Sequence, residues 1–485
     1  MVKLLIREGA DIRDIRSSTP AQEQPPLTHR IFPGNYAELL SILHAAGADL
    51  DAIDNNGVTA MHIAASKAAT TKTDIKALLE LGADPNLMDV AGRRPIDIVV
   101  NNFYSSSTYE VLDLLLSHGA LATISPSLNM QSAPLHMAVK SGRRESVRLL
   151  LAHGAIIDEQ ERFDDGKTPF LLAIKYGHIG TARLLLQKGA DPLKKDRRLR
   201  NALHIAAQTG QSKFMDSLLK IPELKRQIDA PDADGQTPLH YACRAGQVEI
   251  AQSLIENGAN LQLHDADGLF PLHYAVASNS ARLLSVFVSL IKNKNDWNIQ
   301  CHDTGETPLH KAIKSWAYPA TIQRLLDLGA DTTIMDKRGL TPLHLAVMEG
   351  NFLIAEILLD HINLKKIPLD QYRDNRGFTA LHYAAEFNAW RIFPLLLAGG
   401  ADINAVTTSG DTPLHLAVRA RRADIIDLLI AGGANLHLAN AAGETPFDIA
   451  AAQKDKDEAL VKKLTPAMQP QKNAAAKTAR RRPSP

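Results

Sequence analysis

Histidine serves proton transfer and metal binding more often than any other side chain. Nine of the eighteen histidines in this chain stand at one kind of place: His62, His136, His204, His240, His273, His310, His344, His382 and His415. Each is the fourth residue of a segment whose fullest form reads Thr-Pro-Leu-His, as at Thr237-Pro238-Leu239-His240. Metal and acid–base sites need groups that converge on one point. These imidazoles recur once per segment along the chain, so a structural role is expected of them. Gly166-Lys167-Thr168 has the ending of a phosphate-binding loop, but Glu161 stands where the upstream glycine is required. Asp232-Ala233-Asp234-Gly235 and Asp265-Ala266-Asp267-Gly268 share the acidic spacing of calcium loops without their distal glutamate. His-Glu-x-x-His, Gly-x-Ser-x-Gly and Cys-x-x-Cys are absent, and Cys301-His302 has no second pair nearby. No catalytic residue, cofactor or metal is expected.

The segments themselves need explaining. Copies open at Thr59, Ala133, Thr168, Asn201, Thr237, Phe270, Thr307, Thr341, Thr379, Thr412 and Thr445, with a degraded copy at Arg94-Pro95-Ile96-Asp97. Most steps are about 33 to 38 residues, a period that means a stacked array. Within the Thr237 copy, Asp232 to Gly235 signals a turn, and Thr237 and Pro238 suit the cap and first position of a helix. Leu239 and Ala242 face inward, and Gly246 ends the helix. A second helix follows through Ile250, Leu254 and Ile255, closed by Gly258. One such unit cannot bury its own apolar face, so neighbours must supply a continuous core.

The pattern resembles the ankyrin repeat over nearly the whole chain. The resemblance implies an all-α solenoid, with a helix-turn-helix plus a β-hairpin finger per repeat, forming a curved rod of about 12–14 repeats. It implies that the repeated histidine bridges adjacent units by hydrogen bonds. It also implies a concave binding face made from finger tips and first helices. Read onto this chain, that face offers Tyr176, Tyr241, Arg244, Tyr274, Lys311, Lys314, Lys337, Arg338, Arg376, Phe378, Tyr383 and Phe387. Trp316 stands where the helix-ending glycine is usual.

The regions read as follows. Residues 1–58 are degenerate repeats with a proline-rich loop, beginning halfway through a unit at residues 2–12, as a degraded cap or a fragment would. Residues 59–132 are repeats with irregular insertions at 101–108 and 122–132. Residues 133–444 are regular repeats, 445–465 a capping repeat with a polar outer face, and 466–485 a basic disordered tail ending in Arg480-Arg481-Arg482. Between 188 and 200 the finger is rich in Lys and Arg and lacks a turn glycine. It reads as a solvated charged loop or as a contact for an acidic partner.

The 485 residues carry a net charge of +1, which gives no general attraction to nucleic acid. Cys243 and Cys301 cannot make a disulfide framework, which suits an intracellular, cytoplasmic protein. No apolar run is long enough for a membrane span. The expected function is a non-enzymatic, monomeric scaffold or adaptor that binds another protein, with no small-molecule substrate. The alternative is the binding portion of a larger or secreted bacterial effector whose catalytic domain lies outside this chain.

Overall fold

The computed structural model describes residues 37–67, 72–101, 107–123, 132–291, 293–453 and 458–465. The half-repeat expected at 2–12, the proline-rich loop and the basic tail lie outside them, as do most of the two insertions before residue 132. The chain forms two compact units, Met1–Ala266 and Asp267–Pro485. Their boundary falls inside the stretch read as a regular array. In the first unit, a lone helix Ala37–Ala45 precedes helix pairs such as Pro169–Lys175 with Ile179–Gln187 and Pro238–Arg244 with Val248–Glu256. In the second unit the pairs run from Pro271–Ala277 with Ala281–Leu290 to Pro446–Ala452 with Glu458–Leu464.

The two helices of a pair are buried differently. In the first helix nearly every side chain is enclosed: Pro238, Leu239, His240, Tyr241, Ala242 and Cys243 are all buried. The second helix buries one stripe, Ile250, Ala251 and Leu254, and wets the rest. The first helix is therefore a shared layer between neighbours, and the alanine at its middle lets the next helix approach.

Neighbouring units are joined by the repeated histidine, and the hydrogen bonds fix its tautomer. In the Thr307 unit the backbone N–H of Thr307 donates to His310 Nδ1 at 3.2 Å, so that nitrogen carries no proton. Nε2 then holds the proton and donates to Leu340 O of the next unit at 3.0 Å. His204 does the same to Gln236 O at 3.0 Å, and His415 to Glu444 O at 3.0 Å. Thr307 Oγ1 also accepts from the His310 N–H at 3.4 Å, closing the helix cap. The imidazole must be neutral to make this set of bonds. Burial pulls His204, His344 and His382 down to about 4, which keeps them so.

Several units depart from the scheme: the Thr168 and Thr445 units carry Leu171 and Asp448 in place of the histidine, and Phe270 stands at the cap position that Thr fills in most others. At the degraded copy, Arg94 and Asp97 replace Thr and His. The Arg94 N–H donates to Asp97 Oδ2 at 2.9 Å, and the guanidinium pairs with the same carboxylate. Its remaining N–H groups donate to Leu121 O at 3.1 Å and Thr123 O at 2.8 Å. At Ala133 the cap oxygen is missing, and His136 Nδ1 has no hydrogen-bond partner among the described residues. In the Thr341 unit the cap is intact, but His344 Nε2 is without a partner among them. His344 faces a small cavity with Thr332, Ile362, Ile367, Leu369 and Tyr372.

The finger expected as a β-hairpin contains no strand among the described residues. Several fingers are tight turns held by their own aspartate, and Thr407 and Asn440 take that place in the last two. Asp232 Oδ1 accepts from the N–H of Asp234 and of Gln236, at 2.9 and 2.8 Å. One backbone bond links each tip to the next, Ala233 N–H to Arg198 O and Ala266 N–H to Asp234 O, both 2.9 Å. A single bond per neighbour is too little for a ladder. Stacking tips this closely explains Gly235: its φ is +75°, and a Cβ there would lie 2.9 Å from the Ala266 nitrogen.

Candidate protein-interaction surface

The finger at 196–200 shows how charge is used. Leu199 takes the left-handed conformation in place of the absent glycine, with φ +60°. Arg200 is buried, bonded to Asp196 Oδ2 at 2.8 Å and to Asp165 Oδ2 at 2.5 Å. Arg197 donates to Arg162 O at 2.8 Å, and Arg198 to Asp234 Oδ2 at 2.6 Å. Its three arginines thus fasten neighbouring fingers together. This corrects the expectation of a solvated loop for Arg200 alone; Arg197 and Arg198 are exposed, as expected, while each also bonds a neighbouring finger. Lys188 and Lys194 remain on the surface. The Lys167 of the phosphate-loop look-alike is buried too, donating to Asp164 O at 2.7 Å and Asp164 Oδ1 at 3.1 Å.

The twelve residues read as a binding face divide into two groups. Tyr241, Tyr274, Phe378 and Tyr383 are buried, against the expectation of exposure. Tyr241, 5 % exposed, donates its hydroxyl to Asp232 Oδ2 at 2.8 Å, and Tyr383, 2 % exposed, donates to Asp374 Oδ2 at 2.6 Å. Burial and the adjacent carboxylate push both phenols up to about 12. The physical reason is the finger aspartate nine residues upstream. It draws the ring under the turn, where it packs edge-on to the preceding histidine: His204 for Tyr241, His344 for Tyr383.

The other group reaches solvent. Tyr176, Arg244, Lys314, Lys337, Arg338, Arg376 and Phe387 are exposed, and Lys311 half-buried. Lys314 is paired with Glu306. Arg338 bonds Asp336 at 3.1 Å and Arg376 bonds Asp374 at 3.3 Å, both through carboxylates buried beneath the finger. The Arg376 guanidinium lies 3.9 Å from the Phe378 ring centroid and donates to Tyr383 Oη at 3.1 Å. Buried aspartate and ring thus hold an exposed guanidinium rigidly, lowering the entropy lost when it binds.

A further set lies at the turn between the two helices of three units in the second half. Tyr318, Phe352 and Trp390 occupy the twelfth position of three consecutive units. Trp316, Leu353 and Phe387 flank them, and all except half-buried Phe352 are exposed. Aromatics recurring at one register in successive copies were the signal that could have found Tyr318, Phe352 and Trp390. Among the described residues no group of acidic, His or Cys side chains could hold a metal, and no helix is long and apolar enough to cross a membrane.

The ankyrin-repeat family model, "Ankyrin repeats (3 copies)", matches residues 104–196, 194–265, 260–336, 315–407 and 390–474. An ankyrin repeat protein of Acanthamoeba polyphaga mimivirus is 28 % identical over 216 residues, covering 44 % of this chain and 27 % of that protein. The nuclear factor NF-kappa-B p105 subunit of Rattus norvegicus is 32 % identical over 214 residues, 44 % of this chain and 18 % of its own. The palmitoyltransferase AKR1 of Lachancea kluyveri is 32 % identical over 162 residues, 33 % of this chain and 22 % of its own. The match spans about a quarter or less of each relative, so it carries the repeat array and not the activity of the whole protein. With helix pairs, histidine bridges and stacked finger turns all in place, the chain belongs to the ankyrin-repeat family.

Proposed function

We propose that this chain is a non-enzymatic scaffold that binds another protein through its finger tips and the exposed ends of its first helices. The observation that supports it most is the row Lys337, Arg338 and Arg376 on successive fingers of the second unit. Two of the three heads are anchored on buried aspartates. Phe387 adds exposed apolar area beside them. The proposed setting is intracellular and the proposed state monomeric. Two free, buried cysteines agree with a reducing compartment. Affinity purification on the intact chain would identify the partner. A triple charge reversal, Lys337→Glu, Arg338→Glu and Arg376→Glu, is expected to weaken its capture at least about tenfold with helical circular dichroism unchanged. Undiminished capture would refute this surface.

A further inference from the structure

The turn between first and second helix places its tenth residue in the left-handed region in unit after unit. Glycine supplies it at Gly177, Gly210, Gly246 and Gly350, and asparagine at Asn279 and Asn388. Trp316 and, in the Thr412 unit, Arg421 hold the same conformation, each with φ +54°. A bulky side chain there is strained, and the indole gains no burial in return, being 57 % exposed. The exposed indole is left available to an external contact.

Two residues further on, Tyr318 is 65 % exposed and Trp390 53 %, with Phe352 between them in the intervening unit. Neighbouring turns touch one another. The Tyr318 N–H donates to Asn279 Oδ1 of the preceding turn at 2.9 Å, and Arg391 Cζ stands 4.8 Å from the Phe352 ring centroid. Successive units pack at the helix–helix distance of ~8–10 Å, so the column offers one aromatic ring per step of that size. Beyond Trp390 the edge turns basic. Arg391, Arg419, Arg421 and Arg422 follow, with Glu386 and Asp424 as the acidic residues among them. Arg419 is tied to Asp411, and Arg422 donates to Glu386 O at 3.2 Å.

A ligand that matches this column must repeat at the same interval. Same-side residues in a β-strand are about 6.7 Å apart, and an α-helix returns to one face after seven residues, about 10.5 Å. A polyproline II helix returns to the same side every three residues, or about 9.3 Å. Proline rings also stack on exposed aromatic faces and lose little conformational entropy on binding. We propose that the column Tyr318, Phe352 and Trp390, with Trp316 at its head, is a docking site for a proline-rich segment in the polyproline II form, with acidic residues at the end that reaches Arg391 and Arg421. The site deepens the protein-binding reading above and rests on it, but uses a different edge from the finger tips.

The test uses the full chain and a fluorescein-labelled peptide of nine prolines flanked by two glutamates at each end, read by fluorescence polarisation. Saturable binding is expected. It should weaken about tenfold or more in Tyr318→Ala/Trp390→Ala, and several-fold when the glutamates become lysines. Trp316→Gly should weaken binding yet raise the melting temperature by about 1–3 °C, because the strained side chain is gone. Absence of saturable binding, indifference to the aromatic substitutions, or equal binding of a glycine-serine peptide with the same glutamates would overturn the proposal. A chain that captures a protein through its fingers but ignores the proline peptide also overturns it and leaves the finger-tip reading standing. Loss of the finger-tip reading alone would show as charge reversals that leave capture intact.

Discussion

The joint at Arg94 and the joint at Asn201 span the same gap with different chemistry. At Asn201 a neutral imidazole accepts from the cap backbone and donates to the carbonyl of Gln236. At Arg94 a carboxylate accepts from the cap backbone and a guanidinium donates to the carbonyls of Leu121 and Thr123. One group must accept at the cap, and one must reach about a unit onward to donate. The array tolerates either a single ring that does both or an ion pair that divides the work. They should differ in what happens when one piece is removed or the solvent changes.

The largest expected effect is at the ionic joint. Arg94→Met leaves the Asp97 carboxylate buried without its partner, which should cost about 3–5 kcal/mol in urea unfolding of the first unit. The double change Arg94→Thr/Asp97→His, which installs the neutral joint, should recover most of that loss. If it recovers nothing, the two joints are not interchangeable. Acid should separate them next. The unfolded chain takes up protons on histidine near pH 6.5, while folded His204, His344 and His382 resist until about pH 4. Their contribution is complete above about pH 6.5 and drains away as pH falls toward 4. The melting temperature should therefore drop between pH 7 and pH 5, and His204→Gln should show a shallower drop. A flat profile would mean the imidazoles are not held neutral by folding. The smallest effect is a gain. Ala133→Ser restores an oxygen beside His136 Nδ1 and should stabilise by about 0.5–1 kcal/mol.

Much of this was readable beforehand because each repeat writes its own signals. Thr237 at the cap, Pro238 behind it and Gly246 after the helix each state a local backbone requirement, and copies reinforce one another. The twelve opening positions all lead into observed helices. The surface was less legible because exposure is not local. Tyr241 and Tyr383 carry the composition of a binding face, yet each is drawn inside by an aspartate on the finger before it. Arg200 reads as a free charge until Asp165 of another finger arrives beside it. The exchange of Thr and His for Arg and Asp at 94 and 97 was visible as a departure. Its meaning depended on carbonyls nearly thirty residues away. The finger's lack of strand was hidden for the same reason: one backbone bond per neighbour is a property of the stack and cannot be read from one copy.

Among the described residues His344 Nε2 makes no hydrogen bond to a neighbouring unit. In an array held together by nearest-neighbour terms, a load applied along the axis is resisted least where two units share the fewest fastenings. The seam between the units of Thr341 and Thr379 lacks that one fastening, and Phe352 and Arg391 meet beside it. A linear ligand laid over those rings would act as a splint. Its arrival would be felt as added stiffness under tension, so occupancy at one edge would report itself as a change in how far this part of the protein can be stretched.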